Sequence, residues 1–189
     1  MKADTTLCEL PTAFAPAAYR VKWVEPGADA GWELNQARAL RRAVFCAEQG
    51  VFVGDDLDRI DAHAQTLVAL SLVGGMPDQV VGTVRIHADE DGTGIWWGSR
   101  LAVHAAFRRQ AAIGATLIRL AVSSAHARGA AIFLAHVQSQ NLGLFQKMHW
   151  QSLRAETLHG RPHHLMQADL AMYPPCHDPL TGFTCRARP

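Results

Sequence analysis

The sequence predicts an α/β fold of the α+β type, a mixed and mostly antiparallel central sheet flanked by helices. Three observations carry that expectation. Stretches of period-two alternation, such as "YRVKWVE", sit beside stretches whose apolar residues recur every three and four positions. Their order is strand, helix, several strands, helix, buried strand, short helix, strand, which suits one sheet covered by helices. At 189 residues the chain fits one domain able to bury its own core.

Residues 1–18 are rich in Pro, Ala and Thr, and residues 174–189 are broken by prolines, so both ends are expected to be irregular and the domain to span 19–173. Alternation from Tyr19 to Glu25 puts Tyr19, Val21 and Trp23 on one face of a strand ending at Pro26-Gly27. From Trp32 to Gln49, Leu34, Ala37, Leu40, Val44 and Phe45 form a helix face that Gly50 stops. The acidic "VGDDLDRIDAHAQ" reads as turns. "TLVALSLV" and "QVVGTVRI" read as a hairpin joined by "GGMPD". "GIWWGSRLAV" is a strand broken by Gly98, Ala111–Arg128 a second amphipathic helix, and "AIFLAHV" a strand apolar enough to be buried on both faces. A short helix near Leu142–Met148 and a strand near His164–Leu170 complete the set.

Composition narrows the function. The chain is 49% apolar and 19% charged with a net charge of +1, which excludes the broad basic field of a nucleic-acid binder. No apolar run reaches the roughly 20 residues a membrane-spanning helix needs. The protein is expected to be cytoplasmic, with no nucleic-acid or membrane partner; a homodimer is compatible with the sequence. Cys8, Cys46, Cys176 and Cys185 form no C-x-x-C pair, and His159, His163 and His164 in "HGRPHH" have no acidic or cysteine ligand at helical spacing. No metal is therefore expected.

The stretch "RRQAAIGATLI" carries the most chemistry. Arg108 and Arg109 precede a helix start, Ala111 and Ala112 are small, and Gly114 stands where a backbone could approach a ligand. A helix N-terminus offers unpaired N–H groups and partial positive charge to a phosphate, although the same residues also suit a plain surface helix with an alanine-rich packing face.

In context, "RLAVHAAFRRQAAIGATLI" resembles the acetyl-CoA loop of the GCN5-related N-acetyltransferases (GNAT), whose pattern is Q/R-x-x-G-x-G/A. Arg109 takes the first place, Ala112 stands at the first glycine, and Gly114 holds the last. "LRRAVFCAEQGVF", "GDDLDRIDAHA" and "HGRPHHLMQADL" resemble the ElaA-like branch. "WWGSRLAV", "VQSQNLGLFQKMHW" and "YPP" are closest to the nitrogen-starvation N-acetyltransferases of bacterial nitrilase-linked gene clusters. The resemblance implies an acetyl-CoA-dependent N-acetyltransferase acting on a small amine-bearing metabolite in nitrogen metabolism. Acetyl-CoA would then be the co-substrate. Leu101, Ala102 and Val103 would pair with the pantetheine arm, and Arg108, Arg109, Gln110, Ala111, Ala112, Ile113, Gly114 and Ala115 would wrap the pyrophosphate. Gln138 and Asn141 would meet the pantetheine amides.

Acyl transfer from a thioester needs a neutral amine, a polarised carbonyl and a stabilised thiolate. Glu48, ending a helix before a glycine turn and similar to the "EQ" glutamate of the branch, is the first candidate base. His63 and His163 match histidines of the branch and could relay a proton or fix a loop. Many relatives use a tyrosine as the thiolate's acid where this chain has Phe145, which has no proton to give. Asp55, Asp56, Asp58 and Asp61 would form a solvated loop or attract a cationic substrate. Arg85 and Arg100 could orient an acidic loop residue or an anionic substrate. Trp96 and Trp97 alternate faces, with Trp97 bordering the cleft. Two other readings remain open: a non-catalytic acyl-CoA-binding or regulatory module, and an acyltransferase of a signal-synthase-like pathway.

Overall fold

A computed structural model describes residues 18–25, 31–108 and 112–186. Strand β1 (Ala18–Trp23) buries Tyr19, Val21 and Trp23 on alternate positions, as its pattern requires. The next segment begins as helix α1 (Gly31–Arg41) and then loosens into a π-helical stretch, Arg42–Glu48. The expected single helix over 32–49 thus changes pitch, with Gln49 N–H donating to the Val44 carbonyl, five residues back, at 2.9 Å. π turns of this kind are frequent at functional sites.

Strands β2 (Gln65–Val73) and β3 (Met76–Ala88) form the predicted hairpin. The turn is shorter than "GGMPD": Gly74 and Gly75, at φ 59° and 84°, make it alone, as two-residue hairpins demand, and Met76 to Asp78 already belong to β3. Strand β4 (Ile95–Val103) follows, then α2 (Ile113–Ala127), β5 (Ile132–Gln138) and the short α3 (Leu142–Lys147).

Two strands went unpredicted. β6 (Trp150–Leu158) pairs with β7 (Arg161–Ala168). It lies at the edge of the sheet and most of its residues are exposed, so its sequence carries little apolar alternation. The tail expected to be irregular carries β8 (Phe183–Arg186), which pairs with the far side of β1.

The eight strands run in the order β6-β7-β5-β4-β3-β2-β1-β8. Every neighbouring pair is antiparallel except β4 with β5, which are parallel. The main core, including Leu67, Ile86, Leu117, Val122 and Phe133, packs α2 against one face; a second cluster seats α1 on the other through Ala37, Leu40, Val68 and Val80. Gly82 lets α2 come close: a Cβ there would meet Ile113 Cγ2 at 2.8 Å. No helix among the described residues is long and apolar enough to cross a membrane.

Candidate active site

The site begins where the parallel pair stops pairing. β4 and β5 pair from Ile95↔Ile132 to Gly98↔Ala135, and beyond that point they part, leaving a strand edge on each side without a ladder partner. β4 is bulged here. Between Thr83↔Ala102 and Arg85↔Ser99 it spends one residue more than β3, and Arg100 sits in the left-handed region at φ 57°. A bulge at this place turns the strand and leaves a residue outside the ladder.

A cavity of about 270 Å³ opens at the crotch and reaches both faces of the sheet. On the α1 side it is bordered by Gln49 and Phe52, by His136 of β5 and by His163 of β7. On the α2 side its wall includes Ile118, Val122, Phe133 and Phe145. Gln138 and Asn141 line it where β5 ends, and Gln138 Nε2–H donates to Gln49 Oε1 at 2.9 Å.

His136 is the first residue past the last paired position. Its Nδ1 makes a close contact with the Glu156 carboxylate of β6, and its ring stacks on Trp97 at 5.4 Å between centroids and 15° between planes. The carboxylate holds Nδ1–H and leaves Nε2 as the nitrogen able to accept a proton. Partial burial pushes the Glu156 carboxyl up, but the His136 hydrogen bond and the neighbouring positive charges of His136 and Arg154 outweigh it and hold the pKa below the ordinary value. An imidazole backed by a carboxylate is an arrangement used in nucleophile-activating and amine-deprotonating sites. His163 also lines the cavity, is 8% exposed, and donates from Nδ1 to the Arg161 carbonyl at 2.8 Å.

The other expected residues fall elsewhere. Glu48 does not line the cavity; both its oxygens bind Arg108, at 2.8 and 2.6 Å. That hydrogen bond holds its pKa below the usual glutamate value, which weakens it as a base. His63 is exposed and meets His87, with ring centroids 6.0 Å apart, away from the cavity. Phe145 lines the cavity and packs edge-on to Trp150 at 5.0 Å. Arg100 and Leu101 line it, whereas Ala102 turns into the α1-side core. Arg109, Gln110 and Ala111 lie outside the described residues. Of "HGRPHH", His159 and His163 both line the cavity whereas His164 contacts Ser152 at 2.9 Å, and among the described residues no group of three or more His, Cys, Asp or Glu could hold a metal.

The start of α2 fits a phosphate-bearing ligand. No described side chain caps the helix after Ala112, and among the described residues a Cβ on Gly114 would meet only Val103 Cγ2, at an ordinary 3.8 Å. The protein's own packing does not require glycine there. Gly114→Val should therefore leave the unfolding midpoint of the free protein within a few degrees while abolishing its rise on adding CoA; an undiminished rise would remove Gly114 from the site.

The acidic loop is solvated only in part: Asp55 and Asp58 are exposed, but Asp56 and Asp61 turn inward, contrary to the expectation of a solvated loop. Asp56 is 2% exposed and Arg41 1%. Arg41 binds Asp56 at 2.8 Å and Asp61 at 2.5 Å; Arg85 binds Asp58 at 2.6 Å and Asp61 at 2.8 Å; Arg100 binds Asp56 at 2.9 Å and Asp58 at 3.1 Å. Arg85 Nε–H also donates to Ser99 Oγ at 3.0 Å. Three arginines and three aspartates close on each other, so Arg85 and Arg100 orient the loop rather than stand ready for an anion. The Arg100 guanidinium also covers the Phe52 ring at 4.5 Å, which brings the network to the cavity wall.

Burial raises Asp61, but Arg41, the Asp58 N–H and Arg85 together hold its carboxyl well below the usual carboxylate range; Asp58 is lowered likewise, by Arg85 and Arg100 against its burial. A depressed folded pKa adds stability that is complete above the unfolded value of about 4 and disappears as pH falls through the folded value. The unfolding midpoint should accordingly hold steady down to about pH 4 and drop below it. A midpoint unchanged at lower pH would contradict the network's ionisation.

Residues 47–150, more than half of the chain, match the Acetyltransferase (GNAT) family. No curated protein matches the sequence. Among solved structures, Escherichia coli ElaA aligns at 17% identity over 80% of this chain and 98% of its own, with a TM-score of 0.65. BjaI, a CoA-dependent acyl-homoserine lactone synthase, aligns at 18% over 80% and 83%, with a TM-score of 0.62. An acyl-CoA N-acyltransferase from Pseudomonas aeruginosa aligns at 16% over 79% and 98%, with a TM-score of 0.59. At these identities the structures support the fold, and the matched segment supplies the family: it runs from the end of the π-helical stretch through the splayed strands to Trp150 and so contains the cavity's crotch. The chain belongs to the GNAT acetyltransferase family.

Proposed function

We propose that the protein transfers the acyl group of a CoA thioester to the nitrogen of a small amine-bearing metabolite. The observation that supports this best is the cavity at the β4/β5 crotch, with His136 backed by Glu156 on one face of the sheet and Ile118, Ala121 and Val122 of α2 on the other. The edge of β4 past Gly98 and the side chains of Gln138 and Asn141 would hold the amides of the pantetheine arm. The first turn of α2 would hold the pyrophosphate.

In the reaction, His136 Nε2 takes a proton from the ammonium, and the neutral nitrogen attacks the thioester carbonyl carbon. The C–N bond forms as the C–S bond breaks. The amine's second proton passes to solvent, and the thiolate leaves as such or takes a proton from water. Phe145 offers it none. A thiol with a pKa near 8.5 can depart without an acid. His159 and His163 also line the cavity, and His163 is the alternative proton acceptor.

The acetyl group and a place in nitrogen metabolism come with the resemblance of "WWGSRLAV" and "VQSQNLGLFQKMHW". Phe145 favours the other reading, a module that binds acyl-CoA without turning it over. Thiol release from acetyl-CoA and from longer acyl-CoA thioesters, measured with a panel of small amines, separates the two. Amine-dependent release supports the transferase, and release that stays at the hydrolytic background while CoA binds supports the module.

A further inference from the structure

On its α2 side the cavity is apolar over more surface than an acetyl group needs. Its inner wall on the α2 side is built from Ile118, Ala121, Val122, Phe133, Phe145 and Trp150, each no more than 6% exposed and none carrying a polar atom toward an alkyl group except the Trp150 indole. That indole N–H is already committed to Tyr173 Oη at 3.0 Å. Phe133 and Phe145 both meet Trp150 edge-on, at 5.8 and 5.0 Å between centroids, which makes a fixed aromatic floor.

Position along the strands says which part of a donor reaches this wall. The polar groups able to serve pantetheine amides, Gln138 and Asn141, lie beyond the crotch, where β5 ends. Phe133 lies on the other side of the crotch, two residues before Ala135 on the paired part of β5, so the apolar wall continues about 7 Å past the point where the strands part. Water there would find few partners. An acetyl methyl is about the size of one water, whose share of liquid volume is roughly 30 Å³, and would touch only part of this six-residue wall.

Resting on the reading that a CoA thioester binds at the crotch, we infer that the donor carries an aliphatic acyl chain longer than acetyl, in the range from butanoyl to hexanoyl, seated against Ala121, Val122 and Phe133. Phe145 then has a positive role: a phenyl ring closes the pocket with apolar surface where a phenol would bring a hydroxyl needing a partner. The tyrosine the family resemblance leads one to expect is replaced by a wall for the chain.

Calorimetric titration of the full chain with free CoA, acetyl-CoA, butanoyl-CoA and hexanoyl-CoA tests this without an acceptor. Each methylene buried should tighten binding roughly fourfold, so butanoyl-CoA should bind at least about tenfold tighter than acetyl-CoA. Ala121→Phe, which fills the pocket, should flatten that slope; if this variant does not fold, Ala121→Leu should reduce the slope instead. Equal affinity for acetyl-CoA and hexanoyl-CoA overturns the inference and leaves the CoA site standing, as does a slope that survives a folded Ala121 variant. Failure of free CoA and every thioester to bind overturns the underlying reading as well.

Discussion

His136→Gln should lower turnover by about 10²-fold or more, the usual contribution of a positioned general base, while the affinity for CoA stays within a few-fold. Glutamine keeps the size and a hydrogen bond to Glu156 but cannot accept a proton at neutral pH. Glu156→Gln should have a smaller effect in the same direction, because it removes the carboxylate that fixes the imidazole tautomer and leaves the imidazole in place. His163→Gln is the companion experiment. A loss confined to His136 assigns the proton to it, and a loss confined to His163 moves the assignment to β7. Steady-state rates with a fixed amine over a range of pH read the difference, since removing the base should also remove the acid limb of the profile.

Asp56→Asn should be the most damaging single substitution for the fold. Its carboxylate is 2% exposed and answers two guanidinium groups, Arg41 at 2.8 Å and Arg100 at 2.9 Å. Removing one partner of a buried ion network typically costs about 3–5 kcal/mol, because the charges left behind are uncompensated. For a chain of this size that corresponds to a fall in the unfolding midpoint of roughly 6–20 °C. Arg100 would lose one of its two carboxylate partners in the same step, keeping Asp58. Thermal unfolding followed by circular dichroism measures the effect; a shift of under about 2 °C would mean that solvent already screens the network.

The sequence makes the fold legible wherever one face of an element is buried. Tyr19, Val21 and Trp23 alternate because β1 has the α2-side core on one side, and the periodic apolar residues of α2 mark its packing stripe. β6 gives no such signal, since an edge strand exposed along most of its length has no reason to alternate. The π-helical turn at Arg42–Glu48 is equally silent, because a change of pitch over seven residues barely disturbs the apolar spacing.

The site was legible only in part. The turn at Gly114 and the strand before it, which we propose hold the CoA thioester, can be read from local pattern because they are contiguous in sequence. The His136–Glu156 pair could not, because β7 follows β6 in the chain yet lies between β6 and β5 in the sheet. One local signal did exist: His136 is the single titratable residue in the otherwise apolar "IFLAHV", placed near the strand's C-terminal end. The aspartates misled for a related reason. An acidic loop reads as solvated until three arginines from α1, β3 and β4 are brought against it.

The central claim, that a CoA thioester lies in the splay between β4 and β5, is tested most directly by hydrogen exchange of the backbone amides with and without CoA. Binding should slow exchange at residues 99–103 of β4, in the first turn of α2 and around 136–141, and leave the β1/β8 edge unchanged. Binding of CoA without protection in those three segments, or with protection concentrated elsewhere, would contradict the account.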